Sequence, residues 1–382
     1  MASRACTAQA ATVERIDPAS ISLTFSAEWD ALVQDASDPN SFAERWFVEA
    51  SLRHLSKPAS LVLMAVRLSG EALDAIFLLH KDGRYGRWPL PAWQNWLHHN
   101  QFLGLPLIRK GREADAWDAL FNHLDGAEGG PLIYYFSELP CDTRATRALL
   151  DLKRRPSIVH GYARALMQWG RGPDGYWETA VRKKKRKEIG RLEKRLAEIG
   201  TVRCDWSHGA SDISAWIEEF LALEAAGWKG ERGAALARAN ATQAFFREAL
   251  TAALAQGRAE ILRLCAGEQT IAMLVNFLAP PGAYSFKIAY DEAFARFSPG
   301  VLIEKANLTK LNDPAFAWMD SCAVENHPMI NSLWMERRDM VRVALPRRGF
   351  RGSLAFRMVR TAELMWGKIK SLSSSGSGKT GE

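Results

Sequence analysis

The stretch Tyr284-Ser-Phe-Lys-Ile-Ala-Tyr-Asp-Glu-Ala-Phe-Ala-Arg-Phe-Ser-Pro-Gly-Val-Leu-Ile-Glu-Lys-Ala306 holds the residues best placed for chemistry. An apolar strand runs into a loop, and Ser298-Pro299-Gly300 opens a helix. Proline at the first helical position brings a preset φ and lacks an N–H that would have no helical partner there. Ser298 suits an N-cap. Gly300 lets a ligand approach the backbone closely. The exposed N–H groups and the helix dipole then favour an anion such as a pyrophosphate. An ordinary capped helix is the plainer alternative. Lys287 stands in mid-strand, where alternation sets it on the face of Ser285 and Ala289, opposite Phe286 and Ile288, and makes it a candidate cleft residue. A second cluster runs from Asp320 to Arg338. There a strand end meets a polar loop carrying His327, Asn331 and Arg337, a candidate binding surface. Cys322 and His327 lie five residues apart, but no nucleophile elbow accompanies them, so a cysteine hydrolase is set aside. His80 and the pair His98-His99 are read as loop histidines, and no metal site is expected.

These residues need elements to hold them. A chain of 382 residues suggests two domains. With 47% hydrophobic and 24% charged residues it can bury sizeable cores. The expected organisation is a disordered N-terminus over 1–20, a first unit over 21–160, a second over 161–370 and a disordered Ser/Gly-rich tail over 371–382. Ile21–Phe25 alternates like a strand, and Leu61–Leu68, Ala72–Leu79 and Leu132–Phe136 read as further strands. In the second unit a basic helix is expected from Tyr176 to Ile199, then a strand at Thr201–Trp206. Helices follow at Ile213–Glu224 and Ala241–Gln256. A meander of Ala259–Ala266, Gln269–Leu278 and Gly282–Ala289 leads to a helix at Gly300–Leu311 and a strand at Trp318–Ala323. This order is α/β, with a strand feeding a loop and a helix N-terminus.

Bulk properties narrow the setting. No apolar run reaches the ~20 residues of a membrane span, and no apolar stretch near Arg4 and Glu14 resembles a signal peptide. Five scattered cysteines without a C-x-x-C pair fit reduced thiols in a cytoplasm. The net charge of +7 admits an anionic partner. Much of it lies in Arg182–Lys187, whose charges encircle a helix. That pattern argues against nucleic acid and leaves a solvated face or contact with an anionic membrane.

Ala289-Tyr290-Asp291 followed by Phe297-Ser298-Pro299-Gly300-Val301-Leu302 resembles the acyl-CoA site of the CelD/BcsL type of the GNAT acetyltransferase superfamily, related to the FemAB-like transferases. The basic helix Lys183–Leu196 and the segment Leu223-Glu224-Ala-Ala-Gly-Trp228-Lys229-Gly230-Glu-Arg-Gly233 are similar to that family too. So is Phe102-Leu-Gly-Leu-Pro106-Leu107 in the first unit. The chain departs from single-domain GNAT enzymes in having one glycine where they carry a Gly-rich loop. The resemblance implies two tandem GNAT-like modules, with acetyl-CoA held by Phe297, Ser298, Pro299, Gly300, Val301 and Leu302. It implies an N-acetyltransferase acting on an amino sugar or related precursor in exopolysaccharide or cellulose-type biosynthesis.

Acyl transfer to an amine asks for juxtaposed substrates, removal of an ammonium proton and donors for the tetrahedral oxyanion. Glu224 and Asp291 are the candidate bases, with Asp320 and His327 behind them. Tyr290 is the candidate proton donor to the departing thiolate. Trp228, Lys229, Lys287, Asp320, His327, Asn331 and Arg337 are candidates for the acceptor side. Two alternatives stay open: a FemAB-like transferase using aminoacyl-tRNA, and a non-catalytic binding protein of the same fold.

Overall fold

The structure, a computed structural model, describes residues 11–208, 212–226 and 240–376. The first part comprises β1 (Thr12–Ile16), α1 (Leu23–Gln34), α2 (Arg45–His54), β2 (Val62–Arg67), β3 (Ala75–Asp82), β4 (Ala92–Asn95), β5 (Leu107–Ile108), α3 (Glu113–Gly126), β6 (Ile133–Pro140) and α4 (Arg144–Leu150). There follow β7 (Ser157–Gln168), α5 (Gly172–Ala180), α6 (Lys183–Ala197), β8 (Val202–Trp206), α7 (Ile213–Ala226) and α8 (Asn240–Ala255). The chain continues through β9 (Ala259–Ala266), β10 (Gln269–Ala279), β11 (Gly282–Tyr290), α9 (Pro299–Asn307), β12 (Trp318–Asp320), β13 (Glu336–Pro346) and α10 (Phe350–Gly376).

The strands form one sheet in the order β1-β2-β3-β4-β6-β13-β7-β12-β11-β10-β9-β8, with β5 beside β3. Nearly all of β10 is buried on both faces, as a strand covered by two layers must be. One face packs Phe42 and Phe47 with Phe277 and Phe286, beneath Phe220 of α7 and Phe245 of α8. The other packs Leu274 and Ile271 beneath Ile189 and Leu192 of α6 and Ile303 of α9. The first of these cores draws on both ends of the chain. β13 lies between β6 and β7, antiparallel to each, and α10 sets Phe356 and Val359 against Tyr85 and Ile133. The last strand and helix thus complete the layer begun by the first residues.

Several expectations change here. Ile21–Phe25 is not a strand: the Ser22 hydroxyl accepts from Phe25 N–H at 3.1 Å and caps α1, and a cap satisfies helix N–H groups that an alternating pattern does not reveal. Thr12–Ile16, expected to be disordered, pairs with β2. The single helix expected over Tyr176–Ile199 breaks at Val181, whose extended backbone ends α5 before α6 begins. Glu336–Arg338, read as loop, starts β13. α10 runs through to Gly376, into the expected tail. Gly104 owes its identity to contact: an added Cβ would overlap the Ser137 carbonyl and the Asn95 side chain.

A bulge in β10–β11 matters most for the site. Val275 pairs with Lys287 and Asn276 with Ser285, leaving Phe286 as the extra residue. Bulges interrupt alternation. Ser285 therefore faces α9, and Lys287 does not share its face. Lys287 instead lies against the rings of Phe102 and Phe286, its ammonium 5.8 and 5.6 Å from their centroids.

Candidate active site

β12 pairs in parallel with β11 only over Gly282–Tyr284 and Trp318–Asp320. β11 runs on to Tyr290, while the chain after Asp320 turns toward β7, where Ser321 N–H donates to Ala165 O at 3.1 Å. The two strands part at this point, and polar side chains gather around it.

Asp320 is fully buried at the parting. Arg164 of β7 lies 2.7 Å from its Oδ1 and donates from Nη2 to Oδ2 at 2.8 Å. Arg338 of β13 donates from Nη1 to Oδ2 at 3.1 Å and reaches Asp142 at 3.0 Å. Burial works to raise the Asp320 pKa, but Arg164 and Arg338 outweigh it and hold the carboxyl below its ordinary value. Arg164 also donates to Phe102 O at 2.9 Å, and the Tyr284 hydroxyl donates to Pro39 O at 2.5 Å. The cluster thereby ties β7, β11, β12 and β13 to loops of the first part. Cys322, next in line, adopts φ 53° and is buried. Burial pushes its thiol well up, so it is no ready nucleophile. His98 is held near the same face, its ring stacked on Phe47. Desolvation, with His99 and Lys287 adding to it, pushes its pKa down to about 3. Asn100 N–H donates to its Nδ1 at 3.3 Å and Nε2 lies 3.0 Å from the Ser51 hydroxyl. His98 is a neutral packing group rather than a solvated one.

On the other face stands the N-terminus of α9. Ser298 is left-handed (φ 56°, ψ 53°), and its side chain makes no capping bond. The expected N-cap therefore fails, because this backbone geometry turns the hydroxyl away from the first helical N–H groups; the Ser298 carbonyl instead accepts from Val301 and Leu302 N–H at 2.9 and 3.1 Å. Gly300 is buried, and a Cβ there would sit 3.1 Å from Met329 Sδ and 3.8 Å from Ile288 Cδ1. Its smallness admits Met329, which roofs the helix start. Phe297, Pro299, Val301 and Leu302 are all buried, and Phe297, Val301 and Leu302 belong to the core beneath α6.

A cavity of about 770 Å³ opens between the α5–α6 junction and residues 328–337. Arg182, Lys184, Lys185, Asn331, Ser332 and Arg337 line it. Lys185 donates to Ser332 Oγ at 2.5 Å, and burial lowers its pKa. Beneath α9 runs a buried polar chain. Lys310 meets Glu260 at 2.9 Å, Asn276 joins Glu260 to Asn307 at 3.0 and 2.8 Å, and the Ser285 hydroxyl donates to Glu304 at 3.4 Å. Burial pushes the Glu304 carboxyl up to about 7, against the lowering effect of Asn307, Ser285 and Trp334.

Residues 183–320 match the acetyltransferase (GNAT) domain family. That span holds α6 through β12, and so the parting strands and α9. Comparison with curated protein sequences returns no match. Among solved structures, FemX is similar at 12% identity and a TM-score of 0.55, covering 86% of this chain and 97% of that one. A conserved protein of unknown function from Bacteroides thetaiotaomicron VPI-5482 gives 11% and 0.54, covering 87% of this chain and 100% of that one. L-PGS from Bacillus licheniformis gives 10% and 0.52, covering 87% and 96%. The fold is therefore mixed α/β with a GNAT acyltransferase domain, and the likeness to these structures covers 86–87% of the chain.

The GNAT domain brings some expected site residues together and leaves others apart. Glu224 lies in the last turn of α7 on the face that carries Ile217, Phe220 and Leu221 toward the sheet, and is 2% exposed. Asp291 is occupied locally: Oδ1 accepts from Ala293 N–H and Oδ2 from Gln269, both at 2.9 Å. Tyr290 is partly buried beside the core beneath α6, and burial followed by Glu292 raises its pKa. His327 Nδ1 accepts from Ile330 N–H at 3.3 Å, while Asn331 donates to Glu325 O at 2.6 Å. Arg337 donates to the Trp334 and Glu336 carbonyls, both at 2.8 Å. Asn331 and Arg337 thus share the basic cavity, whereas Asp320 and Lys287 belong to the opposite face. Trp228 and Lys229 lie outside the described residues. Arg164, Arg338 and Glu304 were not singled out from the sequence. Glu304 carried a signal, a lone acid directly after Val301-Leu302-Ile303. The two arginines carried none, since their strands were not recognised.

No helix among the described residues is long and apolar enough to cross a membrane. Among the same residues, no group of three or more His, Cys, Asp or Glu side chains is arranged to hold a metal.

Proposed function

We propose that this protein is a cytoplasmic N-acyltransferase that moves an acetyl or longer acyl group from acyl-CoA to an amine. The observation that carries the proposal is the parting of β11 and β12 beside the start of α9, inside the span matched to the GNAT domain. Parallel strands that separate leave room for an extended, amide-bearing arm to lie along a strand. A helix N-terminus beside it suits the pyrophosphate. The basic cavity that Pro328 and Asn331 help to line is suited to the remaining phosphate. In this reading Phe297, Ser298, Pro299, Gly300, Val301 and Leu302 build the donor site, and Met329 moves aside to admit it.

The chemistry follows from the acceptor side. Glu224 takes a proton from the ammonium, and the freed nitrogen lone pair attacks the thioester carbonyl carbon. Burial suits this carboxylate to an ammonium that must be stripped of water. The oxyanion collapses, the C–S bond breaks, Tyr290 supplies a proton to the thiolate, and the second proton that the nitrogen sheds on becoming an amide restores the tyrosine hydroxyl. Asp291 serves the turn it caps. Lys287 and Asp320 shape the acceptor face, with Trp228 and Lys229 assigned there by family resemblance. An amino sugar or related precursor is the acceptor, and the CelD/BcsL resemblance assigns the step to exopolysaccharide or cellulose-type biosynthesis. The first part of the chain is a second, GNAT-like module.

One observation favours a second reading. Met329 closes over Gly300, which suits a donor that does not lay a diphosphate there, such as an aminoacyl-tRNA. Calorimetric titration with acetyl-CoA, CoA and ATP separates the two. Micromolar, saturable binding of the first two and none of ATP is expected; absence of binding overturns the CoA reading and makes charged tRNA the next donor to assay. Retention of full turnover by Glu224→Gln would remove Glu224 as base.

A further inference from the structure

A second large cavity shares no lining residue with the one beside the α5–α6 junction. It is a groove of about 1130 Å³ between α3, α4 and the start of α10. Arg144, Arg147, Arg155, Arg348 and Arg357 line it, outnumbering the lining acids Glu113, Asp118 and Asp151. All five are exposed, and none makes an ion pair among the described residues. Arg154 and Arg347 differ: Arg154 is held by Asp125 at 2.5 Å, and Arg347 by the carbonyls of Gly130 and Asp125 at 3.0 and 2.6 Å.

α10 forms one wall and is apolar on two opposite sides. Phe356 and Val359 pack inward. On the outward side Phe350 is 80% exposed, Leu354 45%, Met358 63%, Leu364 62% and Met365 59%. At 3.6 residues per turn these five fall within about 120° of the circumference. Arg357 lies inside the same arc and exposed Arg351 just beyond it. The only acid of the described helix, Glu363, pairs with Arg360 away from this stripe. Scattered apolar residues on a surface mean little, but an aligned apolar stripe on one helix marks a contact surface.

We propose that α10 lies on an anionic lipid bilayer, its apolar stripe inserted at the headgroup level and the arginine groove holding lipid phosphates. A helix with large apolar residues on one arc and flanking cations is the form that binds in a membrane interface, and arginine is well matched to phosphate. The helix is too polar to span, so it rests on the surface. Charge decides between lipid and a second copy of the chain. Face-to-face pairing would bring two grooves with an excess of arginine together, whereas an anionic surface neutralises that excess. Each such cation near a membrane surface contributes about 1 kcal/mol. This site is independent of the acyl-transfer reading.

Co-sedimentation of the full chain with vesicles of phosphatidylglycerol and phosphatidylcholine, against phosphatidylcholine alone, tests the proposal. Binding at least tenfold stronger to the anionic vesicles is expected, weakening as salt is raised. Leu354→Ser with Met358→Ser, both exposed, and separately Arg147→Glu with Arg155→Glu, should each lower binding tenfold or more while circular dichroism is unchanged. Equal binding to both vesicle types, or none, overturns the proposal. Full binding by the Leu354/Met358 variant overturns insertion of the helix. A concentration-dependent dimer in light scattering, lost in that variant and accompanied by no vesicle binding, assigns the stripe to a second copy and also overturns it.

Discussion

Asp320→Asn is the perturbation with the clearest structural magnitude. The carboxylate is fully buried between Arg164, 2% exposed, and Arg338, 4% exposed. Removing one partner of a buried ion pair costs about 3–5 kcal/mol, because the remaining charge stays buried without compensation. Here two guanidiniums lose their shared counter-ion, and only Arg338 keeps Asp142. We therefore place the loss near the upper end, about 5 kcal/mol, a large share of the ~5–15 kcal/mol by which folded proteins exceed their unfolded state. With a urea slope of about 3 kcal/mol per molar, the unfolding midpoint falls by roughly 1.5 M. Arg338→Met, which leaves the Arg164–Asp320 pair intact, should cost clearly less. The pH dependence supplies a second check. The Asp320 pKa is depressed in the folded state, so its contribution is complete above the unfolded value near 3.8 and is lost as pH falls through the folded value. The gap between wild type and Asp320→Asn must therefore shrink in acid. A midpoint shift below about 0.3 M, or a gap that does not change with pH, would refute the electrostatic account.

Three further outcomes are expected. Glu304 has a folded pKa of about 7 against 4.5 unfolded, so the folded state holds its proton more tightly and wild-type stability falls as pH rises across that window. The stability of Glu304→Gln relative to wild type should therefore rise by about 3 kcal/mol between those two pH values, read by urea unfolding at each. Met329→Ala opens the start of α9 and should tighten CoA binding several-fold by calorimetry; an unchanged Kd would show that Met329 does not gate the site. Gly104→Ala should lower stability by about 3 kcal/mol in thermal unfolding, since its Cβ would overlap backbone at Ser137 that cannot move without disturbing β6.

The second half of the fold was readable because its local signals agree. The β9–β11 meander has β-rich runs, a Gly-containing turn and a Pro-Pro turn, and its observed ends fall within one residue of those expected. α9 announced itself through Pro299 and Gly300. What failed was anything decided by distant partners. β13 begins with Glu336-Arg337-Arg338-Asp339, which reads as loop; only its pairing with β6 and β7 makes it a strand. The face of Lys287 was misassigned because one bulged residue shifts the alternation. For the site, the start of α9 could be found from backbone-preference residues, yet Met329 above Gly300 could not, since nothing local ties residue 329 to residue 300. Asp320 was singled out as an end-of-strand acid, but its partners come from β7 and β13, neither of which had been recognised.

The position of β13 also governs the order of events during synthesis. β6 and β7 are consecutive in the chain, yet they are joined in the sheet only through a strand that ends at Pro346. Until that strand leaves the ribosome, each presents an open edge able to recruit other chains. The ion cluster lacks Arg338 over the same interval, so Asp320 and Arg164 wait half-assembled. The nascent protein thus has a window of vulnerability that closes late and at a single insertion. Ribosome-bound intermediates halted before residue 336 should depend on chaperones in a way that the released chain does not.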